Sequence, residues 1–262
     1  MSQAEALRLE IDGAVARVTL TRPDIHNAFD DQLIAQLTET FQTLGANEAV
    51  RVIVLAGEGK SFCAGADLNW MRRMIDYSRE QNLEDSRKLE RMFHAIDTCP
   101  KPVIGRVHGA ALGGGVGIVA CCDIAIAAER AKLGLTEVKL GILPAVISPY
   151  VVRKIGAGQA RALMLTGERI DAKRARRIGL VHEVVDPKDI DDADAEKIEL
   201  LMSSGPQAIA RCKQLVRDIE DKLPDEAADI TIAAIAEVRT SPEGQEGMRA
   251  FLEKRSPSWR ND

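Results

Sequence analysis

Three stretches combine small or acidic residues in a way that suits proton-transfer chemistry. The first is Ser61-Phe62-Cys63-Ala64-Gly65-Ala66-Asp67-Leu68, which follows a β-branched run and a glycine turn and opens into a helical segment. The second is His108-Gly109-Ala110-Ala111-Leu112-Gly113-Gly114-Gly115-Val116-Gly117, again behind an apolar run. The third is Leu135-Thr136-Glu137-Val138-Lys139-Leu140-Gly141-Ile142-Leu143-Pro144. The first N–H groups of a helix have no partner within it and sit at the positive end of its dipole. Small residues at a strand-to-helix junction leave those groups uncovered, and glycine admits a ligand where a Cβ would obstruct it. Two such junctions facing each other would form an oxyanion hole, which suits an enolate whose charge resides on one oxygen. Glu137 stands among Leu133, Leu135, Val138, Leu140 and Ile142. A carboxylate in that company is expected to be partly desolvated, with a raised pKa that suits proton transfer.

Other chemistries find less support. Gly113, Gly115 and Ile118 do not complete G-x-G-x-x-G, so no dinucleotide fingerprint is present. Ser61 lacks the glycines that flank a nucleophile elbow. The four histidines, His26, His94, His108 and His182, have no metal-ligand spacing, and no metal site is expected.

Strands and helices must hold these stretches in place. Val15–Leu20, Val50–Leu55, Pro102–Val107 and Ile124–Ala127 read as strands. Asp30–Leu44 carries Leu33, Ile34, Leu37, Phe41 and Leu44 at helical spacing, and Glu84–Ile96 reads as an amphipathic helix. This alternation implies parallel strands layered by helices. Beyond about Pro144 the pattern becomes helical, over Gln159–Leu165, Ala172–Ile178, Gln207–Leu223, Asp225–Val238 and Glu243–Arg255, with a short strand within Leu180–Val185. The expected organisation is an α/β core over 1–195 and a helical region over 196–262.

The composition is that of an ordinary globular chain: 262 residues, 45% hydrophobic and 29% charged, with aromatics at only 3%, so aliphatic side chains must fill the core. The net charge of −5 argues against a generic nucleic-acid or membrane surface. No apolar run reaches the ~18 residues that span a bilayer. Five cysteines, an odd number without a C-x-x-C pair, fit a reducing compartment, and a cytoplasmic location is expected.

Taken together, the stretches resemble the crotonase (enoyl-CoA hydratase/isomerase) superfamily. The likeness runs from Arg22-Pro23 and His26-Asn27-Ala28 to Glu246-Gly247-Met248 and Phe251-Leu252-Glu253-Lys254-Arg255, and is most specific at Cys63–Leu68, Gly109–Gly115 and Cys122-Asp123-Ile124. The resemblance implies a spiral of β-β-α units with a helical C-terminal trimerisation region, a homotrimer or dimer of trimers, and an acyl-CoA thioester substrate. It implies no metal or other cofactor beyond the coenzyme A of that substrate. It assigns the oxyanion-hole N–H groups to Ala66 and Gly114 and the catalytic carboxylate to Glu137. Ala64, Gly65, Asp67 and Leu68 would lie along the CoA, with Arg22 and Ala28 bordering it. Phe251 and Lys254 match residues that reach a neighbouring subunit's CoA site.

The chain departs from the archetypal hydratase where that enzyme has a first glutamate, because Gly117 stands there. Gly117–Asp123 and Leu143–Val152 resemble the methylglutaconyl-CoA and isohexenylglutaconyl-CoA hydratases. An anionic acyl group would be repelled by a second enzyme carboxylate. Arg72, Arg73 and Lys139 are candidate partners for such an acyl carboxylate, and Trp70 and Met71 either shape the acyl pocket or pack in the core. The rival readings within the superfamily are a double-bond isomerase and a decarboxylase, and outside catalysis a CoA-binding or RNA-binding member. Asp76–Arg91 mixes Arg79, Arg87, Lys88 and Arg91 with Glu80, Glu84, Asp85 and Glu90, a solvated face rather than an RNA-binding one.

Overall fold

A computed structural model describes residues 6–260. The outermost residues of the two expected regions, 1–5 and 261–262, lie outside the described residues.

Two sheets are built by a chain that alternates between them. β1 (Leu7–Asp12) and β2 (Val15–Leu20) form a hairpin, with Ala16, Val18 and Leu20 of β2 buried on one face. α1 (Asp31–Ala46) follows, capped by the Asp30 side chain, which accepts from Leu33 N at 3.0 Å. Its buried stripe is Leu33, Ile34, Leu37, Phe41 and Leu44, the face its spacing predicts. Then come β3 (Val52–Gly57), β4 (Ser61–Cys63), α2 (Leu68–Ile75) and α3 (Arg79–Asp97). The next turn of the spiral is β5 (Val103–Val107), β6 (Ala110–Leu112) and α4 (Gly114–Cys121). The third is β7 (Ile124–Ala128), β8 (Lys132–Gly134), a 3₁₀ turn (Glu137–Leu140) and α5 (Ser148–Thr166). β9 (Arg169–Asp171), α6 (Ala172–Arg177) and β10 (Glu183–Val185) complete the sheets. The chain ends in α7 (Ile190–Met202), α8 (Pro206–Ile219), α9 (Pro224–Thr240) and α10 (Pro242–Leu252).

β3, β5 and β7 enter a six-stranded sheet of order β1-β2-β3-β5-β7-β10. Each is followed at once by a strand of a second sheet, of order β4-β6-β8-β9. All pairings are parallel except β1 with β2 and β8 with β9. This is the β-β-α spiral expected from the resemblance. α4 threads the interior, and from Gly115 to Cys121 every residue is buried. Such a helix has no polar face, which its sequence reflects.

The structure corrects several expectations. The region after Pro144 is not purely helical, since β9 closes the small sheet before β10. β4, β6, β8 and β9 are three residues each, too short to show a period of two. α5 begins at Ser148 rather than Gln159, and Gly156 (φ 74°, ψ 153°) interrupts it, which breaks the sequence period. Residue 195 lies inside α7, whose Ile190 and Ala193 pack on Val52, Val54, Ile104 and Ile126 of the large sheet. A division at 195 would therefore cut a helix that belongs to the core.

Candidate active site

The three stretches singled out in the sequence leave the same end of three neighbouring strands. β4, β6 and β8 lie side by side and parallel. β4 runs into Ala64–Asp67, β6 into Gly113-Gly114, and β8 through Leu135-Thr136 into Glu137. Parallel pairing places all three exits on one edge, as at the carboxyl ends of strands in other α/β proteins. Gly113 N donates to Gly134 O at 2.8 Å, tying the second exit to the third.

The first exit is held by the loop that precedes α1. Ala64 N donates to His26 O (3.0 Å), Phe29 N to Gly65 O (2.8 Å) and Asp67 N to Phe29 O (2.9 Å). Phe29 and Ala66 thus form a parallel bridge in which residues 65 and 67 face Phe29. The N–H of Ala66 must then point the other way. The supporting loop is itself unusual. His26 and Asn27 both adopt left-handed backbone (φ 57° and 55°). Asn27 is fully buried and organises the turn: its side chain donates to Glu58 O and Ser61 O and accepts from Arg22 N. Asparagine is among the residues that tolerate this conformation.

Gly65 (φ 88°) admits no side chain, since a Cβ there would lie 2.8 Å from Leu112 O and 3.5 Å from Gly114 N. The two junctions are therefore in direct contact. Among the described residues, neither Ala66 N nor Gly114 N donates to a protein oxygen, and both residues are partly exposed. Gly114 is the first residue of α4, where an unpartnered N–H is intrinsic to the helix.

Glu137 reaches the same place. A Cβ at Gly113 would lie 3.1 Å from Glu137 Oε1, so the carboxylate sits on the residue next to Gly114. Its Oε2 is buried with no hydrogen-bond partner. Burial pushes the Glu137 pKa up, partly offset by a backbone hydrogen bond to its own N–H. The cause differs in part from the one the sequence suggested. Leu133 and Leu135 are buried, but Val138, Leu140 and Ile142 are exposed; Gly113 supplies the nearer wall.

The place of a second carboxylate is closed. A Cβ at Gly117 would overlap Ile147 Cγ2 and lie 2.9 Å from Phe93 Cε1. Ile147 and Phe93 are both buried. Neither contact was visible in the sequence: Ile147 lies within the Leu143–Val152 segment and Phe93 in a helix, and nothing along the chain pairs either with Gly117.

The remaining assigned residues divide into two groups. Around the first exit, Arg22 donates to Ala28 O (2.9 Å) and pairs with Asp30 (3.0 Å) and Asp67 (3.5 Å). Asp67 is buried and caps α2, accepting from Asn69 N and Trp70 N. Arg22 and Asp67 thus brace the loop, and their charged groups already have partners. Ala28 is buried, and Leu68 is 70% exposed at the start of α2, open to a ligand. Trp70 is a core residue, buried and edge-on to Phe29 with ring centroids 6.0 Å apart, while Met71 is half-buried. Phe251 and Lys254 form the second group, at the end of α10, which packs on α8 and α9. Phe251 is 82% exposed. Of the candidate partners for an acyl carboxylate, Arg73 pairs with Asp31, Arg72 donates to Asn69, and Lys139 lies against Gly167.

Three of the four histidines bear on structure: His26 contacts Ser61, His108 contacts Gly59 O, and His182 accepts from Ala125 N, while His94 is exposed. Among the described residues no group of three metal-ligating side chains is assembled, and no helix is long and apolar enough to cross a membrane.

Comparison with known proteins agrees with this architecture. Residues 10–262 match the enoyl-CoA hydratase/isomerase family. An enoyl-CoA hydratase from Shewanella pealeana superposes with a TM-score of 0.95 at 45% identity, covering 98% of this chain and 97% of that one. The short-chain-enoyl-CoA hydratase of Clostridium acetobutylicum is 34% identical over 94% of each chain. The crotonyl-CoA hydratase of Syntrophomonas wolfei is 33% identical, over 97% of this chain and 98% of its own. With the spiral fold, the paired strand exits and a match over nearly its whole length, this chain belongs to the enoyl-CoA hydratase/isomerase family.

Proposed function

We propose that the protein is an enoyl-CoA hydratase in which one carboxylate, Glu137, performs both proton transfers. One observation carries the reading: two amides without partners and one carboxylate oxygen without a partner meet at the ends of β4, β6 and β8. Ala66 N–H and Gly114 N–H would hold the thioester oxygen. Glu137 would take a proton from water as its oxygen bonds to C3 of the enoyl group. The C2–C3 π electrons then form a C1–C2 double bond while the carbonyl π pair moves to the thioester oxygen, giving an enolate held by the two amides. Glu137 returns the proton to C2, and the net change is addition of one water. The raised pKa of Glu137 makes it a stronger base than an ordinary carboxylate once ionised. No group beyond the substrate's own coenzyme A is required.

We further propose a glutaconyl-type acyl chain, methylglutaconyl-CoA or a near relative. The support is the sealed space at Gly117 together with the segments that resemble hydratases of such substrates. Two like charges ~6 Å apart repel by about 3 kcal/mol at an effective dielectric of ~20. Omitting one carboxylate therefore favours a substrate that brings its own. The helical region from α8 to α10, with Phe251 exposed at its end, fits assembly into a homotrimer or dimer of trimers in which Phe251 and Lys254 meet a neighbour's CoA.

The test is a panel of methylglutaconyl-CoA, crotonyl-CoA and a 3-enoyl-CoA, with products read by mass spectrometry. Hydration of the first with the highest kcat/KM is expected, seen as a gain of one water. A strong preference for crotonyl-CoA would remove the acyl assignment and leave the hydratase. Isomerised product of unchanged mass, or loss of carbon dioxide, would remove the hydratase reading itself.

A further inference from the structure

Phe29 touches both halves of the proposed oxyanion hole. Its backbone carries the first half, through Phe29 N to Gly65 O and Asp67 N to Phe29 O, which fixes the outward direction of Ala66 N–H. Its ring abuts the second half. A Cβ at Gly114 would overlap Phe29 Cζ and lie 2.7 Å from Cε1, so the ring edge rests directly on the Gly114 backbone. The ring also packs against Trp70, with centroids 6.0 Å apart in a T-shaped arrangement, and Trp70 N is held by the Asp67 cap. Phe29 is 2% exposed and touches no solvent from which a ligand would approach. A neighbouring contact adds to this: a Cβ at Gly115 would overlap Cys63 O, so α4 is pressed against the end of β4.

We propose that Phe29 is a positioning residue whose ring sets the separation of the Ala66 and Gly114 amides. One side chain then couples two amides that are distant in sequence and belong to different strand exits. An oxyanion hole depends on donors being fixed before charge develops, and small misplacements are costly. This inference rests on the reading that those two amides polarise the thioester carbonyl.

The experiment uses the full chain with a saturated acyl-CoA labelled with carbon-13 at the thioester carbonyl. Isotope-edited infrared spectra report polarisation of that carbonyl in the bound state. The wild-type protein is expected to move the band to lower frequency. Phe29→Ala is expected to lose most of that displacement and about 10–100-fold in kcat, on the scale of an ångström-sized misplacement, with KM little changed. Phe29→Leu should fall between. A purely structural role would lower thermal stability without moving the band. Because Phe29→Ala is a large core truncation, a second comparison uses a compensating pair. Gly114→Ala drives a methyl into the ring and should depress kcat strongly, and adding Phe29→Leu should restore part of it. A wild-type band that moves, with Phe29→Ala matching it in spectrum and kcat, overturns the positioning role. So does a folded Gly114→Ala protein that gains nothing from Phe29→Leu. A wild-type band that does not move removes the underlying reading, and the inference with it.

Discussion

Replacing Gly117 by alanine sets two opposing effects against each other. Gly117 lies inside α4, where glycine is disfavoured relative to alanine by about 1 kcal/mol in an open helix. On propensity alone Gly117→Ala should stabilise. The added methyl, however, would overlap Ile147 Cγ2 and stand 2.9 Å from Phe93 Cε1, and both neighbours are buried. Overpacking of a filled core costs about 1–3 kcal/mol. The clash should therefore win, with a net loss of up to ~2 kcal/mol and a fall in Tm of up to about 4 °C for a domain of this size. Thermal melts followed by circular dichroism measure it directly. Ile147→Ala made in the same background should couple favourably, since it empties the space the new methyl needs. Gly117→Glu should do worse, because it adds a buried carboxylate without a partner at a cost of several kcal/mol, and it should not raise the hydration rate. A higher Tm for Gly117→Ala, or faster hydration by Gly117→Glu, would show that the space beside Gly117 is open and that the argument from its closure is wrong.

Two further perturbations address the carboxylate and the brace. Glu137→Gln should lower kcat for hydration by about 10²–10⁴-fold, as for loss of a general base, while CoA-thioester binding measured by calorimetry persists. The same change should stabilise the fold near neutral pH: burial raises the Glu137 pKa, so the folded state binds the proton more tightly than the unfolded one. Stability of the parent protein then falls as pH rises through the interval between the unfolded and the higher folded pKa. The advantage of Glu137→Gln should accordingly be full above that interval and vanish below it, and an equal Tm difference at every pH would contradict this. At Asp67, alanine removes a cap that accepts from two amides and should cost about 0.5–2 kcal/mol, with lower kcat because the loop that carries Ala66 loses its side-chain tie to Arg22. Asp67→Asn keeps an acceptor for the cap and should retain most of both, measured by Tm and steady-state kinetics.

The two junctions and Glu137 were legible because their chemistry is local. An uncovered amide at a helix start is announced by small residues after an apolar run, and Cys63–Asp67 and Leu112–Gly115 both carry that pattern. What joins them was not legible. β4, β6 and β8 are three residues each and contain Ser61, Ala110, Ala111 and Gly134, residue types without strong strand preference. Their strand character comes from neighbours in the small sheet, a tertiary effect that a window along the chain does not contain. The same holds for Phe29, Phe93 and Ile147, whose importance lies in what they touch rather than in what they are. The long elements behaved oppositely: α1 buries the stripe its spacing predicts, because sixteen residues sample the helical period several times.

The glycine cluster after β6 shows why composition alone misleads. Three consecutive glycines suggest a flexible turn, yet each position here is glycine for its own packing reason. Gly113 has φ 52° and faces Glu137; Gly114 faces the Phe29 ring; Gly115 faces Cys63 O. Gly117 faces Ile147. A segment in which three side chains are excluded by three different neighbours, and a fourth position needs a left-handed φ, is closely packed, however mobile the same residues would be in a free peptide. That packing is what an anion site built from main-chain amides needs. Its donors have no side-chain torsions to adjust, so their aim is set wholly by how the backbone is packed. The glycines therefore serve the proposed chemistry through close contact, and replacing any of them tests the packing of the site before it tests its flexibility.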